Sequence, residues 1–277
     1  MPRIPDEIRD CVFYLFPSEQ AAKVSEGAGG TGFLVATRST VFDRYFTYAV
    51  TCKHILGACG GAPVIRMNGP DGAFWIRKTT ETQWHVHADG DDVAAALLKV
   101  EGKFAHRFIN ERLLLTRELI AEHDLGPGDD VFIVGRYVDH EGRARNWPSV
   151  RFGNISMMNW EPVRQEGSEF PQESFLVECR SLGGYSGAPV FVYIPPYASR
   201  PRESTLVQTP RGPWLLGIDW GHLRIREKVT NRDGEPHPDG WKVSTASGMA
   251  AVVPAWKIRE VLEHPEFHEV QRLWIKS

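Results

Sequence analysis

The most informative stretch of the sequence is Gly183-Gly184-Tyr185-Ser186-Gly187-Ala188-Pro189-Val190-Phe191-Val192. A serine stands between two glycines, and the apolar run that follows is typical of a strand. A serine hydroxyl is a poor nucleophile until a base removes its proton, and the oxygen that becomes negative on a substrate needs fixed donors. Glycine next to Ser186 would let the N–H groups of Gly184 and Ser186 point at one spot. By itself, the stretch is equally compatible with a glycine-rich turn in which the serine has no role.

Short apolar runs bounded by Gly, Pro and Asp occur along the whole chain and predict strands in an all-β sandwich or barrel. The predicted strands are Cys11–Phe16, Phe33–Ala36, Phe46–Thr51, Phe74–Arg77, Val131–Gly135, Phe175–Val177, Pro189–Tyr193 and Trp214–Trp220. Helical spacing is scarce: Glu111–His123 is a helix or a half-structured connection, and Pro254–His264 is a C-terminal helix. Asp139–Arg145 and Ala198–Arg211 are interpreted as solvated loops.

The 277 residues, 31.2 kDa, correspond to one large or two small domains. With 32 Lys and Arg against 35 Asp and Glu, the net charge of -3 argues against a broad nucleic-acid surface. No apolar run is long enough for a membrane span, and the first residues lack the apolar core of a signal peptide. Four cysteines in such a chain predict free thiols, and together these features predict a cytoplasmic protein.

Three other motifs are weaker. Gly27–Gly32 matches the dinucleotide-binding glycine pattern, but a strand-like segment follows it where a helix is required. His85 and His87, with Asp89, could be metal ligands, although a pair of surface histidines is the preferred interpretation because no second cluster completes the set. The group of Cys52, His54 and Cys59 likewise lacks a fourth ligand. We therefore predict no metal.

Two further segments contain a candidate base and a candidate acid. Tyr48–Leu56 is an apolar strand that ends in His54, and Gly90–Leu98 places Asp92 directly before an apolar run. Each also has an ordinary structural interpretation, as a core histidine and as an N-cap aspartate. An α/β-hydrolase is excluded by the order His, Asp, Ser and by the strand that follows the serine.

In this order, the segments resemble those of the trypsin/chymotrypsin-like serine peptidases, a family of two six-stranded antiparallel β-barrels with the active site in the cleft between them. The resemblance covers most of the chain, from about Cys11 to the C-terminal helix. Five features of the family have counterparts here in the same chain order. These features are the strand before the histidine, the Thr-Ala-x-His motif, the Asp-Ile-Ala motif, the Gly-Asp-Ser-Gly-Gly-Pro motif and the substrate-pairing strand. The counterparts are Gly30–Val35, Val50–His54, Asp92–Ala94, Gly184–Pro189 and Gly217–Gly221.

The resemblance implies an all-β peptidase unit over residues 1–277. Its parts would be a first β-barrel at 10–105, a connection at 106–125, a second β-barrel at 126–253 and a C-terminal α-helix at 254–265. A serine endopeptidase acting on a protein or peptide substrate is implied, without a cofactor and without nucleic acid or membrane as partners.

The implied roles follow the serine-histidine-aspartate triad, for which this family is the standard example. Ser186 would attack the scissile carbonyl, His54 would take its proton, and Asp92 would hold the imidazole. The N–H groups of Gly184 and Ser186 would form the oxyanion hole. Asp91 and Asp89 compete for the role of the acid; Asp92 is preferred because it directly precedes the apolar run.

The implied substrate pocket contains Arg180, Ser181, Trp220, Gly221 and His222. Arg180 would stand at its base in the family's pattern. If its side chain points inward, a substrate Lys or Arg is disfavoured; pointing outward, it would have no such effect.

The chain departs from secreted and zymogen members of the family at three positions. Ile55 and Leu182 stand where secreted members have disulfide cysteines, which fits a cytoplasmic protein. Tyr185 replaces the aspartate that pairs with the new N-terminus of animal enzymes, so we predict an enzyme without that zymogen step. A catalytically silent binding module and a peptidase activated by a regulatory protein partner remain as alternatives.

Overall fold

A computed structural model describes most of the chain. It covers residues 3–27, 29–39, 41–80, 82–100, 107–158, 161–164, 171–179, 183–196, 198 and 211–276. Arg180 and Ser181 of the predicted pocket, Leu182, and most of the predicted loop at 198–211 lie outside these residues. Within the described ranges, no helix is long and apolar enough to cross a membrane.

The described chain is mostly strand. The strands are β1 Val12–Phe16, β2 Gly30–Ser39, β3 Arg44–Thr51, β4 Val64–Asn68, β5 Phe74–Lys78, β6 Trp84–Val86, β7 Ala94–Leu97, β8 Ile109–Asn110, β9 Asp130–Gly135, β10 Ser149–Met157, β11 Phe175–Glu178, β12 Ala188–Ile194, β13 Arg211–Lys228 and β14 Lys242–Pro254. Every predicted strand lies in one of them, except that Cys11 precedes β1. The continuously apolar runs are the buried strands: all residues of β1 and of β12 are buried.

The strands form two sheets. The first is an eight-stranded sheet in the order β5-β4-β1-β2-β3-β7-β6, with β8 joined in parallel to β2. The second is a closed barrel in the order β10-β11-β14-β13-β12-β9. The expected all-β fold is thereby confirmed, with a closed six-stranded second barrel. The first sheet has eight strands among the described residues, and its strand order does not close.

The helices are α1 Asp6–Arg9, α2 Glu19–Val24, α3 Lys53–Ala58, α4 Arg117–His123, α5 Ala255–Leu262 and α6 Pro265–Lys276, with 3-10 turns at Glu111–Leu113 and Val138–His140. The C-terminal helix expected from helical spacing is α5, which buries Ala255, Ile258 and Val261 among others. A second C-terminal helix, α6, follows it. It buries Phe267 and Gln271.

Two expectations about solvent exposure were wrong. His85 and His87 are buried, because β6 lies beneath the C-terminal helices: the His85 ring lies 4.6 Å from that of Phe267. The charged segment at 139–145 is not simply a solvated loop. It contains Glu141, which is 3% exposed and pairs with Arg136. A charge pattern does not reveal burial when the partner charge comes from another segment.

Candidate active site

His54 lies in the first turn of α3, where backbone N–H groups lack helical partners. Asp92 supplies that partner, because its Oδ1 accepts a hydrogen bond from the His54 N–H at 2.8 Å. Its Oδ2 lies 2.5 Å from Nδ1 of the same histidine. One carboxylate thus holds both the backbone and the ring. With Nδ1–H donating to it, Nε2 carries the lone pair that a base needs.

The two side chains differ in burial. The Asp92 side chain is 11% exposed and that of His54 is 45% exposed. Asp92 is in turn held by Gln172, whose Oε1 accepts a hydrogen bond from the Asp92 N–H at 2.7 Å. The competing acid is engaged elsewhere: Asp91 Oδ2 lies 3.1 Å from Nζ of Lys257 and 3.3 Å from Nδ1 of His87.

Ser186 belongs to the loop that precedes β12, and this loop packs against the first sheet beside α3. The Ser186 carbonyl accepts a hydrogen bond from the Thr31 N–H at 2.9 Å, and the Gly187 N–H donates to the Asp219 carbonyl at 2.7 Å. A side chain at Gly187 would collide with Thr31 and with the Thr51 hydroxyl. With φ of +86°, this position also has the left-handed backbone that favours glycine. The glycine after the serine therefore allows the two sheets to approach closely.

The predicted oxyanion donors lie in the same loop. The Gly184 carbonyl accepts a hydrogen bond from the Thr31 hydroxyl at 2.6 Å, and that hydroxyl accepts one from the Arg136 N–H at 2.9 Å. The Tyr185 carbonyl accepts a hydrogen bond from the Ala188 N–H at 2.7 Å. In a trans peptide the N–H points opposite to the carbonyl, so the Ser186 N–H points away from Ala188.

Tyr185 is fully buried beneath the loop. Its hydroxyl is hydrogen-bonded to the Ser149 hydroxyl and accepts a hydrogen bond from Nε of Arg151 at 3.1 Å. The Arg151 guanidinium also lies over the Tyr185 ring, 5.3 Å from its centre. At the position where zymogens use an aspartate, this chain anchors the loop through a neutral side chain.

The predicted substrate strand is the middle of β13. Trp220 is 7% exposed, and its indole N–H donates to the Ser174 hydroxyl at 3.0 Å. The Gly221 N–H donates to Oδ1 of Asp219 at 3.0 Å. The pKa of His222 is lowered by partial burial and by the neighbouring Arg224. These predicted pocket residues are therefore consecutive on β13, directly after Asp219, which pairs with Ala188 beside the Ser186 loop.

Three residues that support the site escaped sequence reasoning: Gln172, Thr31 and Arg136. Thr31 lies within the glycine-rich segment that was matched to the family, but its hydroxyl contacts are not visible in a motif. Gln172 and Arg136 carry no local signal, since each acts on a residue far away in the chain.

Three groups of His, Cys and carboxylate side chains have their potential ligand atoms within 4.8 Å of one another, but each has an obstacle to metal binding. In the first, burial raises the pKa of the Cys52 thiol well above its ordinary value, which disfavours the thiolate that a metal would need. In the second, the His85 and His264 rings face each other with their centres 4.1 Å apart. A metal ion could therefore not lie in the planes of both rings, as a shared ligand geometry would require. In the third, the Lys257 ammonium lies 3.5 Å from the Glu260 carboxylate. The groups are Cys52, His54 and Asp92; His85, His264 and Glu266; and His87, Asp89 and Glu260.

Comparison with solved structures gives matches of low sequence identity. HBP is 8% identical with a TM-score of 0.50, over 96% of this chain and 94% of that chain. The Rv3671c protease of M. tuberculosis, in an inactive form, is 12% identical with a TM-score of 0.48, over 92% and 88%. Deg5 is 15% identical with a TM-score of 0.44, over 67% and 75%. At this identity, the likeness to HBP bears on the fold alone.

No curated protein matches the sequence significantly. The family model described as "Trypsin-like peptidase domain" matches residues 30–192, which is more than half of the 277 residues. This segment runs from the start of β2 into β12 and includes His54, Asp92 and Ser186. The chain therefore belongs to the trypsin-like peptidase domain family.

Proposed function

We propose that the protein is a serine endopeptidase that hydrolyses peptide bonds through His54, Asp92 and Ser186. The observation that carries the proposal is the double contact of Asp92 with His54, at the backbone N–H and at Nδ1, in a chain of this family. A histidine held in one orientation by a buried carboxylate is what a general base requires.

In the proposed mechanism, His54 Nε2 removes the proton of the Ser186 hydroxyl as its oxygen attacks the scissile carbonyl. The carbonyl oxygen becomes negative and accepts hydrogen bonds from the N–H groups of Gly184 and Ser186. Asp92 stabilises the imidazolium, which then gives its proton to the leaving amine. Water hydrolyses the resulting acyl-enzyme by the same base, and the serine is restored.

The loop of Ser186 would be competent without N-terminal processing. Its anchors, the Tyr185 hydroxyl and the Gly184 carbonyl, contact side chains of the intact chain. The four described cysteines are free and buried, which is consistent with the reducing cytoplasm. In the alternative, a regulatory protein partner would switch activity on in place of a zymogen step.

The test is covalent labelling of the full-length purified protein by a fluorophosphonate, together with cleavage of an unbiased peptide library. We expect labelling and cleavage by the unprocessed protein, and the loss of both in Ser186→Ala. Ser39→Ala, which removes a buried hydroxyl in the first sheet, is the control and should retain both. A folded wild-type protein that is neither labelled nor active would contradict the proposal and favour a binding module. Labelling that requires an added cell extract would favour activation by a partner.

A further inference from the structure

The hairpin of β13 and β14 extends well beyond the second barrel. β12 pairs with β13 only as far as Asp219, and β11 pairs with β14 only from Met249 onward. Between these limits the two strands pair with each other out to Lys228 and Lys242, and no other described strand joins them. We call residues 222–247 the arm.

Four of the five cations of the arm lie on one face of its paired strands; the fifth, Arg232, is in the turn. In an antiparallel pair, opposed residues and every second residue share a face. The register pairs Arg224 with Ala246, Arg226 with Ser244 and Lys228 with Lys242, so the four cations line up on one side. The other face carries Glu227 opposite Val243, and Ile225. We call the exposed cationic row the basic ladder: Arg224, Arg226, Lys228 and Lys242.

Repulsion within the basic ladder destabilises the arm when no anionic partner is bound. Lys228 and Lys242 face each other directly, and like charges in such a cross-strand pair are destabilising. The net charge of the whole chain is -3, so the ladder does not follow from a basic composition. A bound anionic partner would remove this repulsion.

The position of the ladder along β13 indicates which anionic partner it would bind. The side chain of Arg224 donates from Nε to Nε2 of His222 at 3.3 Å, which joins the ladder to the predicted substrate strand. Asp219 of the same strand is opposite Ala188, two residues after Ser186. With about 3.3 Å per strand residue, the ladder runs from roughly 15 to roughly 30 Å beyond that point. A peptide extended along β13 would therefore reach the ladder about five to nine residues from its scissile bond.

We propose that the arm is an extended substrate-binding surface that selects acidic side chains on the amino-terminal side of the scissile bond. A peptide that pairs antiparallel with β13, as β12 and β14 do, would reach the ladder with its amino-terminal side. The direction along a substrate rests on the proposed peptidase function, whereas binding of an acidic peptide does not.

Binding is tested with the Ser186→Ala protein and two fluorescent peptides, by fluorescence anisotropy. Both peptides have the same neutral carboxy-terminal half; upstream, one has glutamate at every second position and the other has glutamine. We expect the glutamate peptide to bind about tenfold more tightly at low salt, and less so at high salt because the charges are exposed. Arg226→Glu combined with Lys228→Glu should abolish the preference. Arg112→Glu combined with Lys276→Glu changes the net charge equally at exposed sites away from the arm and should keep it.

Equal binding of the two peptides, or a preference that survives reversal of the ladder, would overturn the proposal. So would an oligonucleotide of the same charge that binds as tightly and displaces the glutamate peptide. With the active enzyme, matched substrates with glutamate upstream or downstream of the cleaved bond test the direction: the upstream one should have the lower KM. If no substrate is cleaved, the peptidase function fails while the binding result still decides the role of the arm.

Discussion

At the scale of single residues, the fully buried Tyr185 stands where zymogens of the family have an aspartate, and it anchors the Ser186 loop through a neutral side chain. Its hydroxyl contacts Ser149 and Arg151 beneath the loop that carries Gly184 and Ser186. A neutral anchor of this kind is present as soon as the chain folds. Under the proposed function, Tyr185 would be a positioning residue, which acts through the loop above it.

Tyr185→Phe removes this hydroxyl and retains the ring. We expect kcat to fall about tenfold with KM nearly unchanged, because oxyanion contacts are made in the transition state. Tyr45→Phe removes the hydroxyl of an exposed ring and is the matched control. Steady-state kinetics decide whether the hydroxyl positions the loop or only stabilises the fold. If Tyr185→Phe lowers only the thermal midpoint and leaves kcat unchanged, the hydroxyl serves stability alone.

The residue types of the site were predictable, and some of their partners were not. The sequence placed a histidine at a strand end, an aspartate before an apolar run and a serine in a glycine turn, because each has a local context. It favoured Asp92 over the adjacent Asp91 only because Asp92 directly precedes the apolar run; both are buried. Only the fold directs one toward His54 and the other toward His87 and Lys257.

At the scale of elements, α6 covers β6 and buries an imidazole beneath itself. His85 is 7% exposed and is packed against His264 and Phe267. Burial lowers the pKa of His85 from its ordinary 6.5, His264 lowers it further, and Glu266 opposes the shift. The folded protein therefore binds fewer protons at His85 than the unfolded chain does.

The free energy of unfolding should consequently decrease as the pH falls below 6.5, and the loss should level off below the lowered pKa of the folded state. His85→Gln removes the titrating group, so the pH dependence of its thermal midpoint between pH 7 and pH 5 should be flatter than in the wild type. His268→Gln, an exposed histidine of the same helix, should keep the wild-type slope. Identical slopes for wild type and His85→Gln would contradict this account.

The sequence predicted those strands and helices whose buried residues recur at a regular spacing. β12 and α5 follow directly from their apolar spacing. α6 was not predicted, although its apolar residues recur at helical spacing as those of α5 do. The arm was also missed, because its strands extend beyond the apolar core and neither face of the pair is buried against a second sheet.

At the scale of the whole molecule, a buried cluster of charges joins the two sheets. Arg66 lies on β4 of the first sheet, and Arg136 and Glu141 follow β9 of the second. Glu141 is paired with Nε of Arg136 and lies 3.6 Å from the Arg66 guanidinium, and all three side chains are 3% exposed or less. Arg136 also contacts Thr31 through its N–H, so this cluster adjoins the Thr31 hydroxyl that holds the Gly184 carbonyl.

Glu141→Gln should therefore lower the free energy of unfolding by about 3–5 kcal/mol, since it leaves two buried guanidinium groups without their carboxylate. The measurement is urea unfolding, read as the midpoint at constant m-value. Glu178→Gln makes the same change at an exposed strand position and should alter stability by about 0.5 kcal/mol or less. A loss below about 1 kcal/mol for Glu141→Gln would mean that carbonyl groups compensate both arginines.

The sequence alone determined the all-β class, the order of the reactive residue types and the glycine turn around Ser186, because these depend on local spacing and backbone freedom. The tertiary structure decided which residues meet. Asp92 reaches His54 across 38 residues, Gln172 reaches Asp92 across 80, and Thr31 reaches Gly184 across 153. Such contacts depend on strand register and on how the two sheets pack, which no local propensity contains. The same holds for the arm, whose cations share a face only because the register of β13 and β14 places Lys242 opposite Lys228.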